Sequence, residues 1–258
     1  VNRSHPTIST IIPVYNGDRF LDEAVRSVLA QRHPSLEIII VDDGSTDRTH
    51  EIVRGFGDAV TYHRQENRGA PAARNKGLDL SRGAIIAFLD ADDLWAPDKL
   101  SVQLAALESD GKIDIVLGKI QRFFERGPRE DREVVRLPES QTALSFGSGL
   151  FRRSVFDRVG RMDEELLLGD DQDWFLRARE RQVRIHIVDR TTLLYRRHDR
   201  NLTENKEACD RFQMRILKKT LDRRRNSGQV ALSCLPLLDS APSGDKNAPS
   251  PREVSEDD

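Results

Sequence analysis

The chain has 258 residues, 33% of them charged, a net charge of −2 and a mean hydropathy of −0.58. This length suits one large α/β domain with a substantial core, and the balanced charge excludes a global basic field for nucleic acid. No apolar run approaches the roughly 20 residues of a membrane span, and Cys209 and Cys234 lie far apart without metal-ligand spacing, as expected in a reducing compartment.

The segment Val1 to Ser9 is polar and lacks a signal-peptide core, and the opening Val1 points to an upstream piece removed. Thr10 to Tyr15 reads as a strand. Asp22 to Gln31 reads as a helix, with Leu21, Val25, Val28 and Leu29 on one face. Glu37 to Val41 is an unalternated apolar strand, expected to be buried on both faces. Thr46 to Phe56 is a helix with Ser45 or Asp47 as its cap, Val60 to His63 a short strand, and Pro71 to Leu80 a helix with proline in its first turn. Ala84 to Leu89 is a strand and Pro97 to Glu108 a helix. Such alternation implies right-handed crossovers and a mainly parallel sheet.

The second half departs from this rhythm. Asp114 to Phe124 reads as a longer strand, Glu125 to Ser140 as a charged mobile loop, and Phe146 to Val159 as helical after Gly147-Ser148-Gly149. Asp170 to Gln182 is a helix with acids in its first turn. Arg184 to Asp189 and Thr192 to Arg197 are two strand-like runs, and Glu207 to Arg225 is a long basic helix. From Asp239 on, Ser, Pro, Asp and Glu predominate and the chain reads as disordered.

Ligands on parallel sheets bind beyond the carboxyl ends of the strands. Three of those ends carry unusual residues: Pro13-Val14-Tyr15-Asn16, Asp42-Asp43-Gly44-Ser45 and Asp90-Ala91-Asp92-Asp93. Carboxylates this close repel one another unless a cation sits among them, and hard divalent ions prefer oxygen ligands. A metal-bound nucleotide is therefore expected there.

These segments, taken in order, resemble family 2 glycosyltransferases. Ile12 to Asn16 and Val41 to Asp47 look like the start of that family, and Asn67-Arg68-Gly69 with Ala73 to Gly77 is similar to its nucleotide-side segment. Asp90-Ala91-Asp92 resembles its DxD motif. Gly169-Asp170-Asp171, followed by Asp173-Trp174, resembles its Glu-Asp catalytic segment with Asp170 in place of Glu, and Tyr195 to His198 resembles its late histidine segment. The resemblance spans roughly Ile8 to Thr203. No Gln-x-x-Arg-Trp segment is present, unlike a processive polysaccharide synthase.

The resemblance implies an α/β GT-A fold, a nucleotide-sugar donor, Mn2+ or Mg2+, and inversion at the anomeric carbon. It implies a transferase domain over residues 1–206, with a donor half at about 8–112 and an acceptor half at about 113–206, then a basic helix at 207–238 and a disordered tail at 239–258. Asp92 and His198 are the expected metal ligands, with Asp90 facing the ribose or a metal-bound water. Asp171 is the expected general base, its neighbour Asp170 the alternative, and the helix start would lower a carboxylate's pKa while Asp170 and Asp173 oppose this.

Tyr15 would stack on the base. Asp43, or else Asp42, would accept the imide N–H of uracil, which favours UDP over other nucleotides. Arg74 is the expected diphosphate clamp, and Pro13, Asn67 and Ala91 complete the expected nucleotide-sugar contacts. The acceptor stays open among a glycan, a lipid-linked sugar, a peptide and a small molecule. The setting is expected to be cytoplasmic, with at most peripheral contact with the inner membrane face through the basic helix. A dehydrogenase would need Gly-x-Gly-x-x-Gly after the first strand, where Pro13-Val14-Tyr15-Asn16-Gly17-Asp18 stands. A non-catalytic nucleotide-sugar-binding module is the alternative reading.

Overall fold

The structure is a computed structural model and describes residues 7–126, 133–199, 201 and 206–226. Among these residues nine strands form one sheet, in the order β3-β2-β1-β4-β8-β6-β9-β5, with β7 paired to β6. Strands β1 (Ile8–Val14), β2 (Leu36–Asp42), β3 (Thr61–Arg64) and β4 (Ile85–Phe88) are mutually parallel. Helices α1 (Leu21–Leu29), α2 (Thr49–Arg54) and α3 (Ala70–Leu80) provide their crossovers. The chain leaves β1 towards β2 and later returns to its other side at β4. Between those two strands lies a topological switch point, where an α/β sheet opens a crevice at its carboxyl ends.

The remainder is mixed, as the expected GT-A arrangement requires. β5 (Leu94–Trp95), α4 (Lys99–Ser109), β6 (Ile115–Arg126), β7 (Glu133–Thr142), β8 (Gly149–Arg152), α5 (Ser154–Val159), α6 (Asp170–Glu180), β9 (Ile185–Arg196) and α7 (Lys206–Asn226) follow. β6 and β9 are parallel, whereas β4–β8, β6–β8, β6–β7 and β5–β9 are antiparallel.

Three expectations are corrected here. Most of the presumed loop from Glu125 to Ser140 is sheet, because β6 runs on to Arg126 and β7 pairs with it from Glu133. An edge strand tolerates the charges and the proline that made this segment read as a loop. The segment after Gly147 opens with the buried strand β8 before it turns helical. The two runs from Arg184 to Arg197 are one strand, β9. Of the expected helix over 207–238, residues up to 226 are described, as α7, and residues 227–238 and the expected tail at 239–258 lie outside the described residues.

Two apolar layers hold the sheet. Ile12, Ile40, Ala87 and Leu150 pack with α1 residues Leu21, Val25 and Val28 on one face. Phe88, Phe146, Phe151, Phe156, Trp174 and Phe175 form an aromatic layer on the other, with ring centroids 5.0–6.1 Å apart among their contacts. Tilted and edge-on rings at such spacing are favourable. This layer lies beneath α6 and anchors it through the fully buried Trp174, whose indole N–H donates to the Gly160 carbonyl at 2.8 Å.

Candidate active site

At the ends of β1 and β2, motif side chains hold each other. The Asn16 N–H donates to Ser45 Oγ, the Gly17 N–H to Thr49 Oγ1 and the Asp18 N–H to Asp47 Oδ2, each at 2.9 Å. Asn16 Oδ1 accepts the Thr46 N–H at 2.8 Å. Residues 45–47 are thus committed to the neighbouring loop, and α2 starts only at Thr49, whose N–H Asp47 accepts at 3.0 Å.

Asp42 is buried and closes the turn, accepting the Ser45 N–H at 2.7 Å and the Tyr62 hydroxyl at 2.5 Å. Burial and Asp42 together push the Tyr62 phenol pKa up. Asp43, also buried, clamps the loop before α3. It accepts Gln65 Nε2 (2.8 Å), the Arg68 N–H (2.9 Å) and the Gly69 N–H (2.7 Å). Gly69 has φ +89°, a backbone region that favours glycine, and its position faces Leu167 so closely that a Cβ would stand 2.6 Å from it. Tyr15 follows β1 and is 53% exposed, Asn67 is exposed in the clamped loop, and Pro13 is buried within β1 opposite Val41.

Arg74, buried on α3, joins this side to the acids of α6. Its Nη1 donates to Asp170 Oδ2 at 2.7 Å and its Nη2 to Asp90 Oδ1 at 2.6 Å. Its guanidinium lies 5.7 Å from the Phe146 ring centre. Sequence reasoning expected a diphosphate clamp at Arg74, and here both terminal nitrogens bridge carboxylates. Burial works against the guanidinium charge, but Asp170 and Asp90 outweigh it and raise the Arg74 pKa.

Burial also pushes Asp170 up, with Arg74 opposing. Asp171 is half-buried, accepts the Gln172 N–H at 2.8 Å, and is pushed up to about 7 by burial and then by the neighbouring Asp170 charge. The helix start was expected to lower this carboxylate, and desolvation prevails instead. Asp173, expected to add repulsion, is paired with Arg177 and Arg223, both at 2.8 Å.

Beyond β4, Asp92 Oδ2 and His198 Nε2 stand 3.0 Å apart. Two atoms so spaced subtend about 90° at an ion about 2.1 Å from each, the cis angle of an octahedron. Among the described residues no three His, Cys, Asp or Glu side chains cluster for a metal. A pair of protein ligands leaves the other positions to phosphate oxygens and water, which suits Mg2+ or Mn2+. Ala91 is half-buried in the same turn and packs against the core.

Sequence reasoning missed what fixes this turn. Arg196 is 1% exposed, and its Nε donates to the Asp92 carbonyl at 2.9 Å. Its other nitrogens pair with Glu23 (2.7 Å) and Glu125, and its guanidinium lies 4.5 Å from the Phe20 ring centre and 4.8 Å from that of Phe123. Asp93, buried and pushed well up by burial and then by Asp92, accepts the Arg196 N–H at 2.9 Å. The available signal was a charged residue ending the apolar run Leu193-Leu194-Tyr195.

The acid pair also has a backing. Gly169 begins α6 at φ +73°, and a Cβ there would stand 2.7 Å from Ile216 Cδ1 of α7. Around this contact Arg223 pairs with Asp173 and Glu180, and Lys219 with Asp163 and Glu165. The basic helix therefore turns part of its charge inwards, and among the described residues no helix is long and apolar enough to cross a membrane.

Tyr15, Asp43, Asp90, Asp92 and His198 thus follow strands of the sheet, and Arg74 on α3 ties Asp90 to Asp170, next to Asp171 at the start of α6. The model of the family described as "Glycosyl transferase family 2" matches residues 9–166. A glycosyltransferase of Rickettsia typhi, RT0329, is 31% identical over 188 residues, 67% of this chain and 59% of that protein. The chain thus spans less than two thirds of that relative's length. The putative teichuronic acid biosynthesis glycosyltransferase TuaG of Bacillus subtilis is 46% identical over 104 residues, 38% of this chain and 41% of that protein.

Among solved structures, S. aureus TarS 1–349 in complex with UDP-GlcNAc matches with a TM-score of 0.66 at 22% identity, over 88% of this chain and 77% of that one. The mannosyltransferase PcManGT from Pyrobaculum calidifontis, in complex with GDP-Man and Mn2+, matches with a TM-score of 0.68 at 20% identity, over 85% and 65%. At these identities the likeness establishes the fold, which is the expected GT-A arrangement.

Proposed function

Because the chain belongs to glycosyl transferase family 2, we propose that it moves a sugar from a UDP-sugar to an acceptor hydroxyl with inversion at the anomeric carbon. The acceptor oxygen attacks C1 of the sugar, and the bond from C1 to the diphosphate oxygen breaks. Its electron pair leaves with UDP, and the acceptor proton passes to a base of the protein. The observation that carries this reading is the bridge Asp90–Arg74–Asp170, because it ties the donor-side turn to the helix that bears Asp171. A transferase needs donor and base held in one frame; a module that only binds nucleotide sugar does not.

Asp171 is the proposed base. A carboxylate with a pKa near 7 is well matched to taking a proton at neutral pH. Asp170 acts beside it by holding Arg74. Asp92 and His198 are the proposed holders of Mn2+ or Mg2+, and the imidazole favours Mn2+. That ion would offset the charge gathering on the departing diphosphate.

Tyr15 is the proposed stacking surface for the base, with Pro13, Asn67 and Ala91 shaping the pocket. Asp43 spends three of about four lone-pair positions on Gln65, Arg68 and Gly69, and the fourth suits the imide N–H of uracil. Asp42 is turned into its own turn, where its two oxygens hold the Ser45 N–H and the Tyr62 hydroxyl, which favours Asp43 for this contact. The outward side of α7 exposes Met214, Leu217 and Leu221 beside Arg211, Lys218 and Arg225, and supports peripheral contact with an anionic bilayer.

A thermal-shift panel of UDP-, GDP- and dTDP-sugars, with and without Mn2+, tests the donor reading. UDP-sugars with Mn2+ should stabilise most, because a ligand stabilises the state it binds. Equal shifts for all three nucleotides, or no effect of the ion, would overturn it.

A further inference from the structure

We propose that residues 161–169 form a strap that carries the presence of the donor's nucleotide to Asp170 and Asp171, with Leu167 as its positioning residue. This rests on the glycosyl-transfer reading, which gives residues 65–69 to the donor side and Asp171 to the base. The strap joins α5 to α6 and runs back along α3, from the last turns of that helix to the glycine that precedes it.

Contacts with α3 trace this course. Arg161 pairs with Asp79 and donates to the Asn75 carbonyl at 3.4 Å. The buried Asn75 side chain pairs with the strap as a neighbouring strand would: its Oδ1 accepts the Met162 N–H and its Nδ2 donates to the Met162 carbonyl, both at 3.0 Å. Asn75 Nδ2 also reaches Glu164 Oε1 at 3.0 Å, and Arg68 Nη2 donates to Glu164 Oε2 at 2.6 Å. Leu167 then rests on Gly69, where a Cβ would stand 2.6 Å from Leu167 Cδ2. Two residues on, Gly169 turns the chain into α6, and α3 holds it again through Arg74 and Asp170.

The other side of the strap is held by α6 and α7. Arg177 donates to the Arg161 carbonyl at 2.8 Å, Lys219 pairs with Asp163 and Glu165, and Ile216 abuts Gly169. None of these partners belongs to the donor side. Glu164 and Leu167 differ, because they meet Arg68 and Gly69, the two residues whose N–H groups Asp43 holds. The Arg68–Glu164 pair is largely exposed, and such pairs contribute little. The packing of Leu167 on backbone therefore carries the link, and Glu164 keeps it in line.

Leu167 is 51% exposed, so its seat is only partly stabilised by burial. A nucleotide on Asp43 that quiets residues 65–69 firms that seat, and with it the start of α6 four residues before Asp171. By linkage the strap in turn favours the bound nucleotide. A base seated most firmly when the donor is present spends less donor on water.

Amide hydrogen exchange with and without UDP and Mn2+ tests this on the full chain, in wild type, Leu167→Ala and Leu167→Met, with UDP affinity measured by calorimetry. In wild type, UDP should slow exchange at least about fivefold both at 65–69 and at 162–173. The last turn of α4, which Arg152 holds at the opposite end of β4 from the site, is the control and should not change. Leu167→Ala should keep the slowing at 65–69 and UDP affinity within about twofold, while the slowing at 162–173 falls below about twofold. Leu167→Met, which refills the space over Gly69, should restore it.

The inference falls if UDP binds wild type and leaves 162–173 unchanged, or if the α4 control slows as much as the strap. It falls too if Leu167→Ala transmits as wild type does, if Leu167→Met fails as alanine does, or if Leu167→Ala loses UDP binding itself, which would make Leu167 a donor contact. Failure of wild type to bind UDP at all would sink the donor reading instead.

Discussion

The two halves of the site are built by different means. On the donor side, polar side chains grip backbone N–H groups: Ser45, Asp47 and Thr49 hold residues 16–18, and Asp43 holds residues 65–69. Its loops are therefore set before any ligand arrives. On the acceptor side, the acids are placed by side chains from distant elements: Arg74 from α3, and Ile216 and Arg223 from α7. Hydrogen bonds to backbone N–H groups make a shape that tolerates little change. Long-range ion pairs and packing make one that can be lost a piece at a time.

The sharpest way to separate the halves is Asp171→Asn. Turnover should fall at least about 100-fold while UDP affinity stays within about twofold, as measured by steady-state kinetics and calorimetry. Turnover near that of wild type would remove Asp171 from the role of base. Arg74→Gln strikes the joint between the halves. It leaves Asp170 buried without its cation, and urea unfolding should show a loss of about 3 kcal/mol. A loss below about 1 kcal/mol would mean that the bridge does not hold the two sides together.

Asp92→Ala acts on the donor side alone. The gain in UDP affinity on adding Mn2+ should shrink at least about tenfold, and turnover should fall as well, because the ion would stabilise the departing diphosphate. A further effect concerns pH. Asp171 is raised to about 7 from an ordinary 3.8, so the folded protein binds its proton more tightly than the unfolded chain does. Stability should therefore decline as pH rises through that interval, and activity should rise with pH and level off above about 7. Asp171→Asn should flatten the stability profile, and an unchanged slope between pH 4 and pH 7 would assign it to other groups.

How far these features could be read in advance follows the same division. The parallel half was legible because β2 is an unbroken apolar run and because proline opens α3, both local signals. Its three polar strand ends announced the crevice for the same reason. The hairpin was not legible: β7 is an edge strand carrying charges and a proline, and a composition-based reading takes such a segment for a loop. Arg196 escaped notice because its partners, Glu23, Asp92 and Glu125, are scattered along the chain. Arg74 was read as facing phosphate because a guanidinium's preference for anions does not say which anion it meets. The α7 sequence revealed an amphipathic helix but not that Ile216 would seat against Gly169.

The Arg196 clasp has a thermodynamic corollary. One nitrogen of the buried Arg196 holds the Asp92 carbonyl while the other two are held by Glu23 and Glu125, and the nearby Phe20 and Phe123 rings leave the guanidinium little freedom. Capture of a ligand by Asp92 therefore freezes little polypeptide motion, so its calorimetric signature should lack the large entropic penalty and heat-capacity drop of coupled folding.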